Sequence, residues 1–104
     1  SRNARHGVVF TWDGKLSIKN RRFVADDGPL DPACSCFVCQ TFSRSYLRHL
    51  FVAGEHTAAT LLTAHNLAFY LALAGASRQA ILADRFGDFQ REQLARLASK
   101  QWAA

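Results

Sequence analysis

Pro29-Leu30-Asp31-Pro32-Ala33-Cys34-Ser35-Cys36-Phe37-Val38-Cys39 is the stretch whose reading decides the fold. It holds both prolines and all three cysteines of the chain, and the cysteines fall within six residues as Cys-X-Cys-X-X-Cys. A disulfide framework spreads its cysteines so that bridges close long loops, whereas any bridge here would close a very short, strained one. Three thiols presented from one loop fit metal ligation better. Three buried small hydrophobes is the competing explanation, and three cysteines so close beside a proline-rich loop argue against it. A closed tetrahedral zinc site wants a fourth sulfur or nitrogen ligand. With no fourth cysteine, histidine is the natural donor, and the chain has four: His6, His49, His56 and His65. His65 is the natural candidate, because it sits on an apolar stretch with Leu61, Leu62 and Phe69 within a helical turn of it. His49 and His56 stay open as alternatives, and Asp31 is a weaker oxygen donor. Soft thiolates with one imidazole suit zinc better than magnesium or calcium, with an iron–sulfur cluster as the less favoured occupant. Four protein ligands leave no open coordination position, so such a zinc would be structural.

Upstream of the loop the pattern is that of strands and turns. Gly7-Val8-Val9-Phe10-Thr11-Trp12 is β-branched and aromatic, and Asp13-Gly14 signals a hairpin. Lys15 to Asn20 alternates polar and apolar residues as a half-buried strand does, and Arg22-Phe23-Val24 suits a short third strand. Phe10 and Trp12 share a strand face, which favours hairpin packing over base stacking. Asp26 to Pro32 is turn chemistry that delivers the chain to the cysteines. Downstream the period becomes helical. Ser43 is placed to cap a helix running to about Ala53, with Gly54 as its stop. A longer apolar helix runs from Thr57 to about Leu73, ended by Gly75-Ala76-Ser77. Ser77 would cap a third helix over 78–83, and a fourth runs from about Phe86 to Ala98. The fold class is therefore α+β: short antiparallel strands and a hairpin, a Cys-rich zinc loop, then three to four helices. One zinc-binding domain over 1–104 is expected, divided into a basic β-hairpin region (1–24), the zinc loop (25–42) and a helical part (43–104).

Length and composition bound the function. At 104 residues, 49% apolar and 20% charged, the chain is sized for one small core and is not built for disorder. No run of 18 apolar residues occurs, so no membrane-spanning helix is expected. No leader opens the chain, which suggests a reducing compartment. The sequence begins Ser1-Arg2-Asn3 and contains no methionine, which suggests a processed chain or one cut from something longer. The net charge of +5 is uneven. Arg2, Arg5, Lys15, Lys19, Arg21 and Arg22 face Asp13 alone in the first 22 residues, and acids balance bases thereafter. Such a cluster attracts polyanions, nucleic acid among them, although Lys15, Lys19 and Arg22 also suit a plain solvated face.

The cysteine loop, together with Arg2-Asn3-Ala4-Arg5-His6-Gly7, Phe10-Thr11-Trp12-Asp13-Gly14, Ser43-Arg44-Ser45-Tyr46-Leu47, Ala53-Gly54-Glu55 and His65-Asn66-Leu67, resembles the tRNA-guanine transglycosylases, most of all the bacterial queuine tRNA-ribosyltransferases. The resemblance runs to about Arg91 and covers only the family's C-terminal third, the end of a TIM-type barrel with its inserted zinc subdomain. It implies that Cys34, Cys36, Cys39 and His65 hold one structural zinc. It implies that Arg2 and Arg5 contact the anticodon loop of tRNA, and that Phe42, Tyr46 and His49 belong to a homodimer interface. The family exchanges guanine at the first anticodon position for a deazaguanine base, preQ1 or queuine, by attack of an aspartate on the ribose. None of Asp13, Asp26, Asp27 and Asp31 fits that nucleophile's motif, so no catalytic residue is expected and these 104 residues should be inactive alone. A cytoplasmic, membrane-free protein is implied. The alternative reading is a stand-alone, non-catalytic zinc module that binds RNA or dimerises.

Overall fold

A computed structural model describes residues 2–97, with Arg2 described by its backbone alone. The chain opens with a four-residue helix, α1 (Arg2–Arg5), which the sequence did not announce. Next come two strands, β1 (Val8–Thr11) and β2 (Gly14–Ser17), paired antiparallel with Val9 opposite Leu16 and Thr11 opposite Gly14. The hairpin is where it was expected, but its two-residue turn is Trp12-Asp13, one step earlier than the Asp-Gly signal. Gly14 already belongs to β2, at φ 114°, a backbone that other residues rarely adopt. The Thr11 hydroxyl donates to the Gly14 carbonyl at 2.7 Å and accepts from the Asp13 N–H at 3.1 Å, which closes the turn.

The expected third strand is absent. Residues Arg21–Phe23 form a single 3-10 turn instead, because the Asn20 side chain accepts from the Arg22 N–H and caps it. A local side-chain hydrogen bond offered the backbone an alternative to the sheet, and Phe23 still reaches the core. Within the cysteine loop lies a short helix, α2 (Phe37–Thr41). Ser43 caps α3 (Arg44–Val52) as expected, its hydroxyl accepting from the Tyr46 N–H at 3.1 Å. Gly54, at φ 77°, ends that segment.

The largest departure from expectation comes after Gly54. Residues His56–Leu82 form one uninterrupted 27-residue helix, α4, and not two helices divided at Gly75-Ala76-Ser77. Glycine lowers helix propensity by only about 1 kcal/mol against alanine and forbids nothing, so flanking helical turns carry the backbone through. The real stop is Asp84, which takes the left-handed conformation (φ 54°) while the Arg85 N–H reaches back to the Ala80 carbonyl at 2.8 Å. Helix α5 (Phe86–Leu97) completes the described chain, and the expected end at Ala98 lies outside the described residues. Among the described residues, no atom beyond the adjoining helix backbone stands within 4 Å of a β-carbon built on Gly75. We therefore expect Gly75→Ala to stabilise the protein by about 1 kcal/mol in urea denaturation. A break in the helix at Gly75 would make that substitution neutral or harmful.

By length and composition α4 could cross a bilayer, contrary to the sequence expectation. Its inner face is committed elsewhere: Ala58, Leu62, His65, Asn66 and Phe69 are buried against the rest of the chain. The core gathers Ala4, Val9, Leu16, Ile18, Phe23, Leu30, Val38, Leu47 and Leu62 from the segments that precede α5. Phe10 and Trp12 pack on α4, their rings 6.2 Å and 5.2 Å from that of Phe69, so hairpin packing is what they do. The result is an α+β arrangement in which one long helix backs the hairpin, the cysteine loop and α3.

Candidate metal centre

The geometry of the cysteine loop is set by short-range hydrogen bonds. Leu30 and Asp31 are completely buried and pin the chain just before the first cysteine. The Asp31 carboxylate accepts from the Ala33 N–H and from the Trp12 N–H, both at 2.9 Å, tying the loop to the hairpin turn. The Cys34 N–H donates to the Asp31 carbonyl at 3.0 Å. Two turns then present sulfur as the acceptor: the Cys36 N–H points at Cys34 Sγ and the Cys39 N–H at Cys36 Sγ, each at 3.4 Å. In the second, Cys36 serves as the N-cap of α2, which places Cys39 on the first turn of that helix facing its partners. Amide hydrogens directed at sulfur favour the thiolate, the form that binds metal.

From the other side comes His65, buried at mid-helix on α4. Its Nδ1 lies 3.8, 3.5 and 3.3 Å from the sulfurs of Cys34, Cys36 and Cys39. All four donor atoms lie within 4.8 Å of one another. Tetrahedral zinc with Zn–S of about 2.3 Å and Zn–N of about 2.0 Å requires S···N separations near 3.5 Å, the middle of the range seen here. His65 Nε2 sits 2.8 Å from the Phe10 carbonyl, which can only accept, so Nε2 carries the proton and the Nδ1 lone pair faces the sulfurs. Among the described residues these four thus form a single metal-binding cluster whose donors and spacing suit zinc, with no position left open for a substrate.

Burial shapes the protonation states toward the same end. It lowers the imidazole of His65 below its ordinary value, against the Phe10 carbonyl and the Asp31 charge, which keeps the ring in its neutral, ligating form. It raises the thiols of Cys34 and Cys39, with the Cys36 sulfur adding to the effect at both. The Cys34 and Cys39 thiols, which resist ionising alone, become stable thiolates only beside a cation.

Other sequence candidates fall elsewhere. His49 and His56 are exposed and stand outside the cluster, and Asp31 serves the backbone instead of offering a metal ligand. Arg5 is exposed on α1, whose Ala4 is fully buried, and the Arg2 side chain lies outside what is described. Phe42 follows α2 and is not on α3, so it does not share a helix with Tyr46 and His49. Its ring nevertheless stacks on Tyr46, with centroids 5.4 Å apart, and His49 is exposed on α3. Sequence reasoning passed over two contributors, Asp31 as a loop anchor and Asn66 beside the ligand. Asn66 entered the sequence reading only within the His65-Asn66-Leu67 motif, with no role assigned to it.

Comparison with known proteins agrees with this geometry. A family model described as queuine tRNA-ribosyltransferase matches residues 1–99. A queuine tRNA-ribosyltransferase of Nitratidesulfovibrio vulgaris is 55% identical over 91 residues, covering 88% of this chain and 24% of that protein. Those of Koribacter versatilis and an Azoarcus species are 55% and 54% identical over 82 and 89 residues, covering 79% and 86% of this chain and 21% and 24% of those proteins. The chain thus spans about a quarter of the length of the curated relatives it matches.

Proposed function

The chain belongs to the queuine tRNA-ribosyltransferase family, and from that membership we propose that it is the zinc-holding C-terminal portion of a tRNA-guanine transglycosylase. The observation that carries the reading is the Cys34–Cys36–Cys39–His65 cluster, assembled from sequence-distant segments inside the region matched by the family. The complete enzyme would exchange guanine for preQ1 or queuine at the first anticodon position of tRNA, in the cytoplasm. Residues 1–104 supply no catalytic group to that reaction. They form one zinc-binding domain whose last helices close the end of a TIM-type barrel. When bound, the metal supplies a fixed tetrahedral anchor, and the residues around it hold hairpin, loop and α4 in one relative position.

The segment carrying Arg2 and Arg5 is proposed to grip the anticodon loop. Two features support this: the excess positive charge of the first 22 residues, and the exposure of Arg5 on a helix anchored through buried Ala4. Phe42, Tyr46 and His49 are proposed to face a second copy of the enzyme. Stacked rings of which Tyr46 is 46% exposed would serve as its aromatic anchor.

A guanine-exchange assay on the full-length protein tests the reading. A charge-assisted contact to phosphate is worth about 1.5–3 kcal/mol, so Arg5→Ala should raise KM for tRNA by about 10- to 100-fold. The substitution should leave zinc content unchanged. No exchange activity in the intact protein, or an Arg5→Ala variant with an unaltered KM, would defeat it.

A further inference from the structure

We infer that Asn66 is a positioning residue for the metal ligand His65, acting through the backbone of β1 and touching no ligand atom itself; the inference rests on the zinc reading above. Among the described residues, the two-stranded sheet leaves one edge of β1 unpaired by any strand. The parity of that edge is fixed by the bond from the Ile18 N–H to the Gly7 carbonyl at 2.9 Å. Residues 7, 9 and 11 therefore turn their backbone polar groups toward β2, and residues 8 and 10 turn theirs outward. An outward row of this kind needs partners once it is buried.

Asn66 supplies them in the manner of a strand. It is 1% exposed, its Oδ1 accepts from the Phe10 N–H at 3.0 Å, and its Nδ2 donates to the Val8 carbonyl at 3.0 Å. One carboxamide thus bridges two successive outward groups of β1 and fixes the height of the strand along α4. The next outward group, the Phe10 carbonyl, is the atom that meets His65 Nε2 at 2.8 Å. Consecutive residues of one helix thereby grip the same strand, Asn66 setting where Phe10 lies and Phe10 setting how the imidazole is turned. Release of the Asn66 clamp frees β1 to slide, and the ring then loses the acceptor that holds Nδ1 toward the sulfurs. Metal-ligating histidines depend on such outer partners, whose loss typically costs 10- to 100-fold in metal affinity.

The test is zinc affinity of the full-length protein, measured by competition with a chromophoric chelator, alongside the visible spectrum of the cobalt(II)-loaded form. Asn66→Ala should bind zinc about 10- to 100-fold more weakly. Its cobalt spectrum should shift in the ligand-field bands while the sulfur-to-metal charge-transfer bands stay. The isosteric Asn66→Asp keeps an acceptor for Phe10 but turns a carboxylate oxygen onto the Val8 carbonyl in place of a donor, so it should show a loss of the same kind. Leu47→Val, a core change on α3 at a residue that is no metal ligand, should lower urea stability with both metal readouts unmoved. If Asn66→Ala or Asn66→Asp loses stability but keeps wild-type zinc affinity and cobalt spectrum, Asn66 merely packs and the inference is wrong. A wild-type protein that binds no zinc would instead overturn the metal reading on which it rests.

Discussion

His65→Ala should unfold at a temperature about 20 °C or more below the wild-type protein, a loss of about 5 kcal/mol or more. In small metal-bound domains the binding energy is folding energy, of order 10 kcal/mol for a closed zinc site. Here the four ligands come from the cysteine loop, α2 and α4, so losing one ligand uncouples segments that otherwise share a small core. Cys36→Ala should behave alike, and more severely, because its sulfur also caps α2. The His65 substitution also deletes the bond to Phe10, which alone would account for about 1 kcal/mol. A chelator separates the two causes: it should bring the wild-type protein down toward the variant and leave His65→Ala almost unmoved. His49→Ala and His56→Ala, both exposed, should lie within about 0.5 kcal/mol of wild type.

Arg44→Ala should cost about 3 kcal/mol or more in urea denaturation at neutral pH without releasing metal. The Arg44 side chain is 8% exposed, and Nη1 lies 2.9 Å from Asp26 Oδ2. Its Nη2 reaches the Leu30 carbonyl at 3.4 Å and its guanidinium stacks over Phe23 at 5.7 Å. One side chain therefore braces the 3-10 turn, the proline loop and α3. The backbone repeats the link, with the Arg44 N–H donating to Gly28 O and the Ser45 N–H to Asp26 O. Burial alone would raise the Asp26 carboxyl, but the Gly28 N–H and the Arg44 guanidinium outweigh it and hold it below the usual carboxylate range. A lowered carboxylate stabilises the fold in full above about pH 4, and that contribution is lost only as pH falls through the depressed value. At neutral pH the pair is intact, so truncating Arg44 there strands a partly buried carboxylate. Arg44→Lys should recover part of the loss, because it restores charge but not the fork that engages two acceptors. A variant as stable as wild type would show the brace to be ornamental.

The metal centre was legible because its chemistry is carried by residue type and spacing: three thiols in six residues leave few alternatives. The choice of His65 over His49 and His56 followed from the apolar surroundings that sequence displays around it. What could not be read was geometry set by single local hydrogen bonds. Asn20 turned an expected strand into a 3-10 turn, and Cys36 created α2 by capping it with sulfur. Helix α4 ran through Gly75 because glycine weakens a helix without ending it, whereas the real stop came from Asp84 in a conformation that sequence assigns to glycine or asparagine first. Asp31 and Asn66 were invisible as organisers, since their value lies in backbone groups of a hairpin far away in sequence.

Metal content per chain, determined by elemental analysis on wild-type and His65→Ala protein side by side, tests the central claim most directly. One equivalent of zinc in the wild-type protein and well under half an equivalent in the variant, after both meet the same chelator wash, is the predicted result. Iron in the wild-type protein, a folded wild-type chain without metal, or equal zinc in both would contradict the Cys3His site.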